Sequence, residues 1–237
     1  MEIAGRTALV TGANRGFGRH LVEQLRDRGA TVYAAARNRD SVEVAGVTPI
    51  QLDVTDRESI AAAAEMARGV SILINNAGSS TGSSLLTGSV DDIRLEMDTH
   101  YFGSLLVTRA FAGQLAEAEQ SAVLNVLSAL SWISFPAIGA YCAAKSAEWS
   151  MTNALRQELY PQGTIVSGLH VGYMDTDMTV GVKAPKSDPA VVARIALDGI
   201  EAGELEILAD EVSRSVRSGL AGGVAALYPS LERSASR

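Results

Sequence analysis

The chain has 237 residues, 47% hydrophobic and 20% charged, which is enough apolar material for a sizeable core and too little charge for disorder. Its formal net charge of −7 argues against nucleic acid or an anionic membrane as partner, since both select clustered Lys and Arg. One cysteine, Cys142, allows no internal disulfide, and three histidines without a Cys/His cluster argue against zinc, so no metal is expected.

In chain order, short apolar β-branched runs alternate with longer helical patterns. The predicted strands are 7–11, 31–36, 49–53, 71–75, 122–127, 164–171 and 204–209. Between them lie amphipathic stretches such as "GRHLVEQLRDRGA" and "DRESIAAAAEMARG". Such alternation implies βαβ units, and strands so uniformly apolar suit a sheet covered on both faces. The fold expected is α/β, a Rossmann-like doubly wound parallel sheet of seven strands, over residues 1–237 as one domain. The longest helix is expected over Asp91 to Glu119, with Ser89 as its cap, Asp92 completing a capping box, and a bend at His100 to Gly103. No apolar run is of signal-peptide or membrane-spanning length, so the protein reads as soluble and cytoplasmic.

Directly after the first strand comes "TGANRGFGRH", which places Gly12, Gly16 and Gly18 at a strand-to-helix turn. Glycine there admits positive φ and close approach of a phosphate, and the helix behind it offers free N–H groups to the anion. The spacing G-x-x-x-G-x-G differs from the general dinucleotide fingerprint, so position at the first βα junction carries the nucleotide reading. At the end of the second strand Ala36 stands where an acid would bind a ribose 2′-hydroxyl, and Arg37 follows. With Arg15 it supplies two guanidinium forks for a 2′-phosphate, which favours NADP (NADPH) over NAD.

The later motifs resemble those of the single-domain, NADP-preferring branch of the short-chain dehydrogenase/reductase family. They are "TGANRGFG", "LDVTD" (52–56), "NNAG" (75–78), "NVLS", "AYCAAK" and "VGYMDT" (171–176), in that order. The resemblance implies cofactor contacts from Gly12, Asn14, Arg15, Gly16, Phe17, Gly18, Arg37, Asp53, Val54, Asn75, Ala77, Gly78, Gly172 and Thr176. It also implies that Tyr141 exchanges the substrate proton as general acid or base. Lys145, four residues on and on the same helix face, would hold the nicotinamide ribose and lower the phenol's affinity for its proton. Ser128, thirteen residues before Tyr141, would hydrogen-bond the substrate oxygen. The expected reaction is NADPH-dependent reduction of a small hydrophobic carbonyl compound, or alcohol oxidation in reverse. Imine reduction is an alternative.

Two positions depart from the family pattern. His100 in "THYFG" replaces an asparagine whose carbonyl is thought to hold a relay water. A histidine is able to pass protons near neutrality, whereas a disturbed bend there would leave a catalytically impaired NADP-binding regulatory protein. Val171 replaces a proline, with Gly172 and Thr176 retained. Candidate substrate-lining residues are Ser128, Leu130, Trp132, Tyr173 and Met178, with Ser79 beside them. Ser131 is assigned a structural or substrate-pocket role, Cys142 packing, and Asn125 the bracing of adjacent backbone. The segment 177–188 reads as a modest lid, and the resemblance implies a homodimer or homotetramer.

Overall fold

The computed structural model describes residues 1–232. Seven strands form one all-parallel sheet in the order β3-β2-β1-β4-β5-β6-β7. They are β1 (Thr7–Thr11), β2 (Thr31–Ala36), β3 (Thr48–Gln51), β4 (Ile72–Asn75), β5 (Ser121–Val126), β6 (Thr164–His170) and β7 (Glu206–Leu208). Registers such as Val10 opposite Ala34 and Ile74 set the strand ends level, so the loops leaving β1 and β4 emerge side by side. The strand order reverses between those two strands, and a ligand crevice opens where it does in doubly wound sheets.

The helices are α1 (Gly16–Asp27), α2 (Arg57–Met66), α3 (Val90–Met97), α4 (Ser104–Glu117), α5 (Gly139–Leu159), α6 (Pro189–Ala202) and α7 (Glu211–Gly219). Short helices α8 (Gly223–Leu227) and α9 (Pro229–Glu232) follow. On one face, Phe17, Leu21, Val22 and Leu25 of α1 and Val192, Ala196, Leu197 and Ile200 of α6 pack on alternate strand residues. On the other, Ile60 and Ala63 of α2, Val107, Phe111 and Leu115 of α4, and Met151, Leu155 and Leu159 of α5 pack on the intervening ones. Alternation of side chains along each strand is what sends neighbours to opposite faces. The expected fold class is the one observed, with strand ends moved by one to two residues.

The single helix expected over 91–119 is instead two helices joined by a π-helical turn, Asp98–Gly103. Gly103 has no side chain and lies against Val54, and a Cβ there would come within 3.0 Å of it. The wider turn brings His100 into the interior, consistent with the tendency of π-turns to sit at functional sites. Ser89 caps α3 by accepting from the Asp91 and Asp92 backbone N–H groups. The capping box does not form, because the Asp92 carboxylate takes the Ser83 hydroxyl, 3.0 Å away.

Candidate active site

The turn after β1 is built by backbone. Gly12 and Gly16 have φ of 65° and 50°, values that L side chains rarely adopt. A methyl group at Gly18 would overlap the Gly12 carbonyl oxygen. Asn76, from the end of β4, donates to the Thr11 and Gly12 carbonyls at 2.8 and 3.1 Å, and Thr11 Oγ1 accepts from the Asn76 and Ala77 N–H groups. Helix α1 starts at Gly16, and Arg15 before it gives no side-chain cap, so the first-turn N–H groups are left for an anion. A cradle that a Cβ would fill and an uncapped helix start fit a dinucleotide pyrophosphate. Thr176 reaches over this turn to face Gly16, and Gly172 is tied to Asp210 by its N–H at 2.7 Å.

Of the expected contacts, the side chains of Phe17, Asn75 and Val54 are buried in the interior. Phe17 turns its ring into the core under α6, leaving only its backbone at the helix start. Asn75 is buried and donates to Thr108 and Asn125 at 3.0 and 2.8 Å, because its strand parity matches Leu73 and sends it under α4. Asn76, which the sequence reading passed over, borders the glycine turn instead. Val54 is buried beneath Gly103, while Asp53 closes a local turn by accepting from the Thr55 N–H and hydroxyl. Gly78 lies against the His100 ring, where a Cβ would meet Cε1. Asn14 is half-buried, and Arg37 is exposed beyond β2. Arg15 meets Asp177 at 3.3 Å, both side chains being largely exposed.

Helix α5 carries Tyr141 and Lys145 beside the end of β5. Lys145 is buried, and its Nζ donates to the Val126 carbonyl and to Glu148 Oε2, each at 2.7 Å. An ammonium has three donors, so one remains. That Nζ lies 5.9 Å from the Tyr141 ring centroid. Burial pushes the Lys145 value down, but Glu148 and Tyr141 more than offset it and leave it above the usual lysine range. His100 meets the Tyr141 ring edge-on with centroids 5.2 Å apart. Its Nε2 is 2.8 Å from the Ser79 carbonyl and 3.3 Å from Glu96 Oε2, and its buried Nδ1 has no partner.

Ser128 follows β5 and caps a short 3-10 turn, accepting from the Leu130 N–H at 3.1 Å. Ser131 accepts from the Ser128 N–H and, through its carbonyl, from Ser146 of α5, so it is a structural link. The Trp132 ring is buried and stacks on His170, centroids 3.7 Å apart. Leu130 is also buried. Tyr173 is half-buried and Met178 exposed, on the segment that ends at the Met174–Ser187 bridge. Asn125 braces side chains, Asn75 and Thr152, more than backbone. Cys142 is buried as a packing residue.

Among known proteins, the short chain dehydrogenase family profile matches residues 6–187. The chain is 31% identical over 182 residues to an NADPH-dependent 1-acyldihydroxyacetone phosphate reductase of Schizosaccharomyces pombe, covering 73% of this chain and 61% of that one. It is 29% identical to the 3-oxoacyl-(acyl-carrier-protein) reductase of Vibrio cholerae, over 76% of this chain and 78% of that one. The chain thus spans about three fifths of the yeast relative's length. A Burkholderia cenocepacia short chain dehydrogenase in complex with NADP superposes with a TM-score of 0.93, at 35% identity over 98% of this chain and 99% of that one. With an all-parallel doubly wound sheet, a glycine cradle at its switch point and this match, the chain belongs to the short-chain dehydrogenase/reductase family of nicotinamide-dependent oxidoreductases.

Proposed function

We propose that the protein reduces a small hydrophobic carbonyl compound with NADPH, Tyr141 delivering the proton. The observation that carries this reading is the Tyr141–Lys145 pair on one face of α5, set beside the end of β5. Bound there, NADPH supplies the hydride. The uncapped start of α1 and the turn of Gly12, Gly16 and Gly18 hold the pyrophosphate. Arg15 and Arg37 hold the 2′-phosphate, with no acid at the end of β2 to compete. The third donor of Lys145 holds a nicotinamide ribose hydroxyl. Ser128 orients the carbonyl oxygen, and Tyr141 passes its proton to that oxygen as negative charge builds there. Tyr173 and Met178 border the substrate.

The His100 substitution fits this reading. Gly78 leaves room for the ring, and a proton on Nε2 is donated to the Ser79 carbonyl, which leaves Nδ1 to accept from a relay water. Leu95 and Phe102, exposed on α3 and the π-turn, support a homo-oligomeric assembly across this side. The test is NADPH consumption with a panel of ketones, aldehydes and cyclic imines. Turnover with a ketone or aldehyde that falls about 10²–10⁴-fold in Tyr141→Phe is expected. Turnover only with imines would replace the substrate class, and activity appearing only in His100→Asn would mark the natural chain as an impaired binding protein.

A further inference from the structure

Two carboxylates lie buried around Tyr141. Glu148 is one turn beyond Lys145 on the same face of α5, with its side chain 2% exposed. One of its oxygens takes the Lys145 ammonium at 2.7 Å, and the other accepts from the Ser104 hydroxyl at 3.0 Å. Glu96 is wholly buried and accepts from the Thr81 N–H at 2.6 Å and the Ser79 hydroxyl at 3.1 Å, with His100 Nε2 3.3 Å away. Carboxylates are costly to bury unless paired, and a hydrocarbon at either position would avoid that cost. Their shared feature is their neighbour. Lys145 Nζ lies 5.9 Å and the His100 ring 5.2 Å from the Tyr141 ring centroid, and each carries a carboxylate behind it.

Alone, a lysine ammonium beside a phenol favours the phenolate, because opposite charges in a poorly solvated site attract strongly. A carboxylate bonded to that ammonium cancels part of its field at the phenol. We infer that Glu148, with Glu96 in support, offsets the positive charge of Lys145 at Tyr141 and so keeps the phenol protonated, which sets the site for giving a proton to a carbonyl oxygen rather than taking one from an alcohol. The bias in direction rests on the reductase reading; the charge effect stands without it. With NADPH bound, the carbonyl carbon would receive its hydride and NADP⁺ would be released. The carbonyl oxygen takes the Tyr141 proton, and solvent returns a proton to Tyr141. Glu148 is a positioning residue here, acting through Lys145.

The titratable groups facing Tyr141 are Lys145, Glu148 and Cys142 from its own helix and Glu96 and His100 from α3 and the π-turn. Burial is the largest influence on Tyr141 and raises it above the ordinary phenol value, Lys145 lowers it, and Glu148 and Glu96 raise it again.

The test is a pH titration of protein carrying ¹³Cζ-labelled tyrosine, followed by NMR, with Tyr141→Phe identifying the resonance. Glu148→Gln keeps an acceptor for Lys145 but removes the charge. It is expected to lower the Tyr141 midpoint by on the order of one pH unit, with Glu96→Gln lowering it less and Glu148→Asp restoring it. A midpoint that stays or rises in both amide variants overturns the inference. Should Glu148→Gln not fold, Glu96→Gln decides alone. Because the titration needs no substrate, a lowered midpoint without NADPH consumption upholds the charge effect and removes the reductase reading. Carbonyl turnover with an unmoved midpoint does the opposite.

Discussion

Under α1 and α6 the sheet meets Phe17, Leu21, Leu25, Val192, Leu197 and Ile200; under α4 and α5 it also meets Asn75, Asn125, Thr108, Thr152, Glu148 and Lys145. On the second face these polar groups link up, Asn75 to Thr108 and Asn125, Asn125 to Thr152, and Ser104 to Glu148 to Lys145. The first face anchors the glycine turn by apolar packing and leaves backbone N–H groups free for the proposed pyrophosphate contact. The second carries ionised side chains whose strength depends on burial. Burial makes such pairs strong when complete and damaging when broken. Under the proposed function, pyrophosphate binding and proton handling fall to opposite sides of one sheet, with different sensitivities to mutation and pH.

The largest expected separation between the faces comes from Glu148→Ala. It leaves Lys145 buried without its counter-ion and should cost about 3–5 kcal/mol, read as a lowered urea midpoint. Leu21→Ala on the first face loses a similar amount, about 2–5 kcal/mol, by creating a cavity. The two losses should separate with pH, because only the first falls once the stranded lysine gives up its proton.

A second expected difference is acid sensitivity. His170, stacked on Trp132, is held down to about 4, chiefly by burial. The unfolded chain binds this proton near 6.5 and the folded chain near 4. Stability is thus complete above the unfolded value and is lost as pH falls toward the folded one, at about 1.4 kcal/mol per pH unit. Urea titrations at pH 6.5 and 5.0 should show this loss, about 2 kcal/mol, and His170→Phe should flatten it. Glu96 reinforces the same sign at lower pH. Burial alone would raise it, but hydrogen bonds from His100 and Thr81 hold it below the usual carboxylate range, so its contribution is lost only as pH falls through that lowered value.

The smallest effect belongs to the exposed cofactor rim. Arg37→Ala should raise KM for NADPH about tenfold, the worth of one charge-assisted contact near solvent. NADH kinetics should hardly change. Equal loss for both cofactors would show that Arg37 does not read the 2′-phosphate.

What the sequence disclosed divides along the same line. The strands were legible because each is a short apolar run between turns, and the glycine turn because backbone constraints leave glycine as the readable residue. Tyr141 and Lys145 were singled out by the ordered motifs around them, since their spacing alone reads as a surface pair. Glu148 stands three residues past Lys145, but a glutamate on an amphipathic helix reads as solvent-facing until a neighbouring helix covers it. Asn75 was misplaced because its orientation follows strand parity with Leu73, which its motif obscured. Trp132 is buried by His170, a partner too distant in sequence for any local pattern to show. The π-turn replaced a simple bend because Gly103 packs on Val54, again a long-range contact.

The most direct test of the central claim is a crystal structure with NADP⁺ bound. The pyrophosphate is expected on the Gly12–Gly18 turn, the 2′-phosphate at Arg15 or Arg37, and the nicotinamide ribose on the free donor of Lys145 with Tyr141 beside it. A nicotinamide directed away from α5, or a Lys145 still engaged only by Val126 and Glu148, would contradict it.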